Sequence, residues 1–148
     1  EPRFMIGNRV LLDLPKTAYL ASRDGDGRTH KFAPTIAATC VISGFLSPME
    51  RNVFDACLAH GTPMIRVLAC GLPKTFPPRV QRAIDAGRLL IMTPFDGTVA
   101  RVNAERAAWC NQYILHAADS VVIGYLNPDG MLACLLADMP EEKPVLMM

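Results

Sequence analysis

The sequence predicts an α/β fold, Rossmann-like and doubly wound, with a mainly parallel sheet and helices on both faces. Three observations carry that expectation. Short apolar runs fit for strands alternate with helical patterns and short loops along the chain. Apolar residues make up 51% of the chain and charged residues only 20%, as suits strands buried on both faces. One stretch, Cys40 to Leu72, spells strand, tight turn, helix, loop and strand in succession, the unit from which parallel sheets are built. At 148 residues the chain is expected to form a single domain, 1–148, with 1–15 as a lead-in segment.

In the lead-in, Ile6-Gly7-Asn8 reads as a turn and Val10-Leu11-Leu12 as a small helical turn. Lys16 to Ser22 is the first strand. A flexible loop follows from Arg23 to Gly27, then a weak helix from Thr29 to Thr39, interrupted by Pro34. Cys40-Val41-Ile42 is a short buried strand closed by Ser43-Gly44. Ser47 caps the next helix, Pro48 suits its first position, and Glu50 completes a capping box. Met49, Val53 and Cys57 recur at a spacing of four, and Phe54 and Leu58 widen that stripe. His60 in the last turn and Gly61 beyond it end the helix.

Pro63 to Cys70 reads as the third strand, with Gly71 in the turn after it. Lys74 to Pro78 is a loop leading into a helix that carries Val80, Ala83 and Ile84 and runs to Gly87. Arg88 to Thr93 is the fourth strand, and Pro94 to Val102 a polar loop. Asn103 caps a long helix from Ala104 to Ala117. Ser120 to Leu126 is the fifth strand, Asn127-Pro128-Asp129-Gly130 a turn, and Met131 to Ala137 a short helix. Lys143 to Met148 is the last strand.

A formal net charge of +1 gives no global field for nucleic acid or an acidic membrane. The five cysteines are odd in number and fall mainly in predicted strands and helices. They read as free thiols of a reduced compartment. No apolar run has the length of a membrane helix and no signal peptide opens the chain, so a cytoplasmic protein is expected.

Ligands of open α/β sheets bind beyond the carboxyl ends of the strands. A helix that starts there points unpaired N–H groups at anions, typically phosphates. The candidate ligand-binding residues therefore follow the strands: Ser22 and Arg23; Ser43, Gly44, Phe45 and Ser47; Cys70 and Gly71; Thr93; and Gly124 and Gly130. Ser22-Arg23 offers a hydroxyl and a forked cation, a pair suited to phosphate, although an exposed loop arginine is more often only solvated. Gly44 allows close backbone approach, or simply serves its turn. Asn111 sits mid-helix against its propensity, either aimed into the crevice or on an exposed face. His30, His60 and His116 have no metal-ligand spacing with one another or with a cysteine pair. No P-loop, G-x-G-x-x-G string or Ser/His/Asp order is present. Glu50 and Glu105 read as helix-start carboxylates. No catalytic residue, metal or cofactor is assigned, and whether the chain is an enzyme stays open.

The residues also carry a resemblance. Ile6 to Arg23, with its Gly7-Asn8 pair and its ending Ala21-Ser22-Arg23, resembles the entry to the Rossmann-like domain of the DNA-processing protein A family (DprA, or Smf), where the strand ends in Gly-Ser-Arg. Val41-Ile-Ser-Gly-Phe45 is similar to that family's Val-Val-Ser-Gly-Leu. Ile65-Arg-Val-Leu-Ala-Cys-Gly-Leu72 is similar to its Ile-Ala-Val-Leu-Gly-Cys-Gly-Leu, and Asn111 falls on the Asn of its Arg-Asn-Arg. The resemblance covers nearly the whole chain. It implies a place in the wider group of Rossmann-like ligand-binding domains called SLOG, which includes cytokinin-activating phosphoribohydrolases, and it implies single-stranded DNA binding. The departures lie in the charges. Ser47, Cys110 and Gln112 stand where the family has arginines, and Thr93 where it has an acidic residue. The phosphohydrolase string Pro-Gly-Gly-x-Gly-Thr-x-x-Glu is missing from Gly124 to Leu135.

The expected function is therefore non-catalytic binding of a nucleotide-like or phosphorylated small ligand. Single-stranded DNA binding, weak here, is the alternative, and a nucleotide phosphoribohydrolase the third reading. No membrane partner is expected, and a homodimer is left open.

Overall fold

The computed structural model describes residues 2–23, 39–140 and 142–147. The loop from Asp24 to Gly27 and the helix expected from Thr29 lie, up to residue 38, outside the described residues. The strands are β1 (Phe4–Gly7), β2 (Lys16–Ala21), β3 (Cys40–Ser43), β4 (Met64–Val67), β5 (Leu89–Thr93), β6 (Ser120–Tyr125) and β7 (Val145–Met147). The helices are α1 (Pro48–His60), α2 (Pro78–Asp85), α3 (Ala104–Ala117) and α4 (Met131–Ala137), with a 3-10 helix over Arg9–Asp13. One sheet takes the order β1-β5-β4-β3-β2-β6-β7. All its pairings are parallel except that of β1 with β5.

Both faces are covered. Val53, Phe54 and Cys57 of α1 and Val80 and Ile84 of α2 pack with Tyr19, Val41, Met64 and Ile91 on one face. On the other, Leu11 of the 3-10 helix, Cys110 and Ile114 of α3 and Leu132 of α4 pack with Leu20, Ile42, Val67 and Ile123. The inner strands β3 and β5 are buried at every position, which is why they read as unbroken apolar runs.

The chain runs from β3 through β4 to β5 on one side of β2, then places β6 on the other side of β2. That reversal opens a crevice at the carboxyl ends of β2 and β6, the usual ligand position in open parallel sheets.

The start of α1 is built as its residues dictate. Ser47 Oγ accepts the Glu50 backbone N–H at 3.3 Å, and the Glu50 carboxylate accepts the Ser47 N–H at 3.5 Å. Gly61 ends the helix in the left-handed conformation, φ 76°, with its N–H donating to the Cys57 carbonyl.

Two expectations are corrected. The lead-in holds strand β1, with Ile6-Gly7 inside it rather than in a turn, and Asn8 instead caps the 3-10 helix. A four-residue, mostly exposed strand has no periodicity to read, and its partner β5 is more than eighty residues away in sequence. The third strand ends at Val67, not Cys70. Beyond it the Thr93 hydroxyl lies 3.1 Å from the Leu68 carbonyl oxygen and 2.7 Å from that of Cys70, supplying the bonds the ladder no longer makes.

Replacing Ser47 with Ala removes the cap, and urea unfolding is expected to show a loss of about 1 kcal/mol. An unchanged midpoint would mean that the cap holds nothing in place.

Candidate functional site

The crevice at the switch point is a cavity of about 430 Å³. Ser22 and Arg23 enter it from the end of β2, Ser47 and Glu50 from the start of α1, Asn111 from α3, and Asn127 and Gly130 from the loop after β6. Leu46, Ala104, Ala107, Met131 and Leu132 make its apolar wall.

Hydrogen bonds across the strand ends fix its polar edge. The Ser22 N–H donates to the Tyr125 carbonyl at 2.8 Å, and Ser22 Oγ accepts the Asn127 N–H at 2.9 Å. Asn127 in turn holds its own turn closed, accepting the Asp129 N–H at 3.1 Å. The Asn111 amide donates to the Met131 sulfur at 3.8 Å, joining α3 to the start of α4. Arg23 is exposed at the rim.

Glu50 is the residue that sequence reasoning undervalued. Its carboxylate accepts the Ala21 N–H at 2.9 Å on one oxygen, and the Leu46 N–H at 2.9 Å and the Ser47 N–H at 3.5 Å on the other. It thereby ties the end of β2 to the loop between β3 and α1, at the inner end of the crevice. Burial pushes its carboxyl above the usual carboxylate range, against the pull of the N–H donors. Burial, and then the nearby charge of Glu50, raises the Tyr19 phenol as well. The capping-box pattern marked Glu50 for its helix, and nothing local marked its bond to Ala21, 29 residues away.

Of the twelve candidates, Ser22, Arg23, Ser47, Asn111 and Gly130 come together in the crevice. Phe45, Cys70 and Gly71 line a different cavity, on the α1 and α2 face. Ser43, Gly44, Thr93 and Gly124 line neither. Ser43 is wholly buried and accepts the Phe45 N–H at 3.1 Å. Thr93 is wholly buried between the Leu68 and Cys70 carbonyls and accepts the Phe95 N–H at 3.1 Å. The residue in the strained backbone conformation after β3 is Phe45, at φ 52°, rather than Gly44. Gly124 occupies the register shift between β2 and β6, where a side chain would collide with the Tyr19 hydroxyl. Gly71 lets the 94–102 loop pass: its N–H donates to the Val99 carbonyl at 2.8 Å, and a Cβ would strike the Asp96 backbone.

The five cysteines are unpaired. Burial pushes the Cys40 and Cys110 thiols up to about 12 and Cys57 to about 11, which leaves them unreactive. Among the described residues no helix is long and apolar enough to cross a membrane.

No family profile and no curated protein matches the chain in sequence. Solved structures do match it in shape. DNA processing protein A (DprA) from Streptococcus pneumoniae superposes with a TM-score of 0.78 over 97% of this chain at 20% identity. The chain has a DprA-like fold. It spans 53% of the pneumococcal protein, about half its length. DprA from Helicobacter pylori, a protein with a single-stranded DNA binding mode of its own, superposes with a TM-score of 0.72. That match covers 97% of this chain and 69% of that one at 18% identity. Within this DprA-like fold the positions where the sequence resemblance expects arginine diverge. Ser47 is buried at the helix cap, Cys110 donates its thiol proton to the Leu68 carbonyl at 3.3 Å, and Gln112 is exposed.

Glu50→Gln places an amide nitrogen against backbone donors, and its expected cost is about 1–3 kcal/mol in denaturant unfolding at neutral pH. The pH dependence gives a second reading. A carboxyl whose native pKa is raised holds its proton more tightly when folded, so the native state binds more protons between the two values. Stability should then fall as pH rises from the ordinary 4.5 through the native value, a slope the Gln variant lacks. Parallel pH profiles for the two proteins would remove Glu50 as its source.

Proposed function

We propose that the crevice binds a nucleotide-like or other phosphorylated small ligand, without catalysis. The observation that carries this reading is the crevice itself: a concave space of about 430 Å³ at the switch point, with Arg23 at its rim. That volume falls in the range of small-molecule sites, which are largely apolar with a few placed polar groups. The wall formed by Leu46, Ala107 and Leu132 suits a base or another flat apolar group, and Ser22, Asn111 and Arg23 suit a phosphate and its hydroxylated neighbour. The Glu50 carboxylate is engaged by main-chain N–H donors on both oxygens, so its charge is partly offset inside the crevice. The described lining residues include no paired nucleophile and base, which supports binding rather than turnover.

A second reading, single-stranded DNA binding, is favoured by the DprA-like fold and by the DNA-binding mode of the Helicobacter pylori protein. Charge weighs against it. Strand binding needs several cations along a groove. Arg23 is the cation among the described residues that line the crevice.

With AMP as the probe, Arg23→Ala should weaken binding by about 1.5–3 kcal/mol in a calorimetric titration, the range for a hydrogen bond to a charged group. Unchanged affinity would take Arg23 out of the site, and no heat with any nucleotide would sink the small-ligand reading.

An oligo-dT of about twenty nucleotides is expected to bind at roughly 10⁻⁴ to 10⁻⁶ M at physiological salt, as non-specific contacts do. Fluorescence anisotropy over a salt series decides between the readings. Nanomolar binding with a steep salt slope would restore DNA as the ligand.

A further inference from the structure

The second cavity, of about 840 Å³, lies on the α1 and α2 face over β4 and is separate from the crevice. Phe45 and Phe54 form part of its floor, and Phe76 and the start of α2 close one side. Its unusual residue is Arg66. β4 is an inner strand, and Met64 and Leu68, two positions either side of Arg66 on the same face, are buried in the apolar cluster there. Arg66 therefore shares a face with core positions while itself only half-buried, and the part of its side chain taken out of water is costly. Its Nε is buried and has no hydrogen-bond partner among the described residues. Its guanidinium carbon lies 5.1 Å from the centre of the Phe54 ring.

Other cations share the cavity. Arg51 and Lys74 line the same cavity. Arg79 also lines it, but its guanidinium is paired with Asp55 at 2.8 Å. Among the described residues no carboxylate is paired with Arg66 or Arg51. Burial works against the positive form of Arg66; the neighbouring Cys70 side chain favours it, and the charge of Arg51 opposes it to a lesser degree. An anion between the two guanidinium groups would pair with both charges through their outer N–H groups. In the DprA pattern that Ile65 to Leu72 resembles, the position of Arg66 is an alanine, so this cation is not part of that resemblance.

We propose that this cavity is a second ligand site, which takes an organic anion with an aromatic body: Arg66 and Arg51 hold its oxyanion, and Phe54, Phe45 and Phe76 pack against its ring. The three rings supply the apolar contact that a bare inorganic anion cannot use. Carboxylates and phosphate esters share this chemistry, and benzoate and phenyl phosphate distinguish them as probes.

The test is a site-resolved NMR titration of the whole chain with phenyl phosphate, benzoate and inorganic phosphate at millimolar concentration. Phenyl phosphate or benzoate should shift the amides of Arg66, Leu68, Cys70 and Val99, and inorganic phosphate should bind at least several-fold more weakly. Arg66→Met, which keeps an unbranched side chain of comparable reach, should weaken binding by about ten- to a hundredfold. In the absence of ligand it should raise Tm by roughly 2–4 °C, because the unpaired buried cation is gone. Should that variant not fold, Arg51→Gln at an exposed position decides: a several-fold loss supports the site and unchanged affinity overturns it. Shifts confined to Ser22, Asn111 and Gly130 would place the anion in the crevice alone and overturn this inference while leaving the crevice reading intact. Equal affinity for inorganic phosphate and both aromatic probes would overturn it too.

Discussion

One buried carboxylate holds the working edge of this domain together. Parallel strands end with main-chain N–H groups that the ladder no longer pairs, and burial makes each of them costly to leave open. Glu50 meets three such groups, from Ala21, Leu46 and Ser47, and so fastens the end of β2, the β3–α1 loop and the first turn of α1 to one side chain. The crevice is the space those three elements leave between them and the loop after β6.

Hydroxyls settle the other strand ends. Ser43 accepts the N–H of Phe45 after β3, Thr93 bridges the carbonyls that follow β4, and Ser22 joins β2 to the loop after β6. The same residue types serve ligands and serve turns, and the distinction lies in burial. Ser43 and Thr93 are fully enclosed, whereas Ser22 opens onto the cavity. The β3–α1 turn also accepts strain, since Phe45 adopts a left-handed conformation and recovers contact energy by packing its ring 5.0 Å from that of Phe54.

The winding of the sheet separates two chemistries. Among the described residues, the crevice at the reversal of strand order has one arginine and a largely apolar wall. The cavity under α1 and α2 gathers Arg51, Arg66 and Lys74 against three phenylalanines. The chain as a whole is nearly neutral, so local arrangements such as these, and not a general field, set where positive charge gathers.

The pattern of apolar runs, the capping box at Ser47, the caps at Asn103 and Gly61 and the turn at Asn127 were legible in the chain because each rests on neighbours within a few residues. They were enough to mark the doubly wound parallel sheet and to place every helix among the described residues. The Ser22-Arg23 pair and Asn111 were legible as well, as polar residues set where parallel strands end or where helix propensity disfavours them. Only the tertiary structure decided what depends on distant partners. Strand β1 exists because β5 accepts it, Gly124 is needed because Tyr19 presses against the register shift, and Glu50 reaches back 29 residues to Ala21. The strand order decided the rest. The loop after β4, which looks equivalent to those after β2 and β6, opens onto the other face, so Cys70 and Gly71 belong to a different cavity, and Arg66, an ordinary letter in an apolar run, becomes a half-buried cation whose Nε has no partner among the described residues.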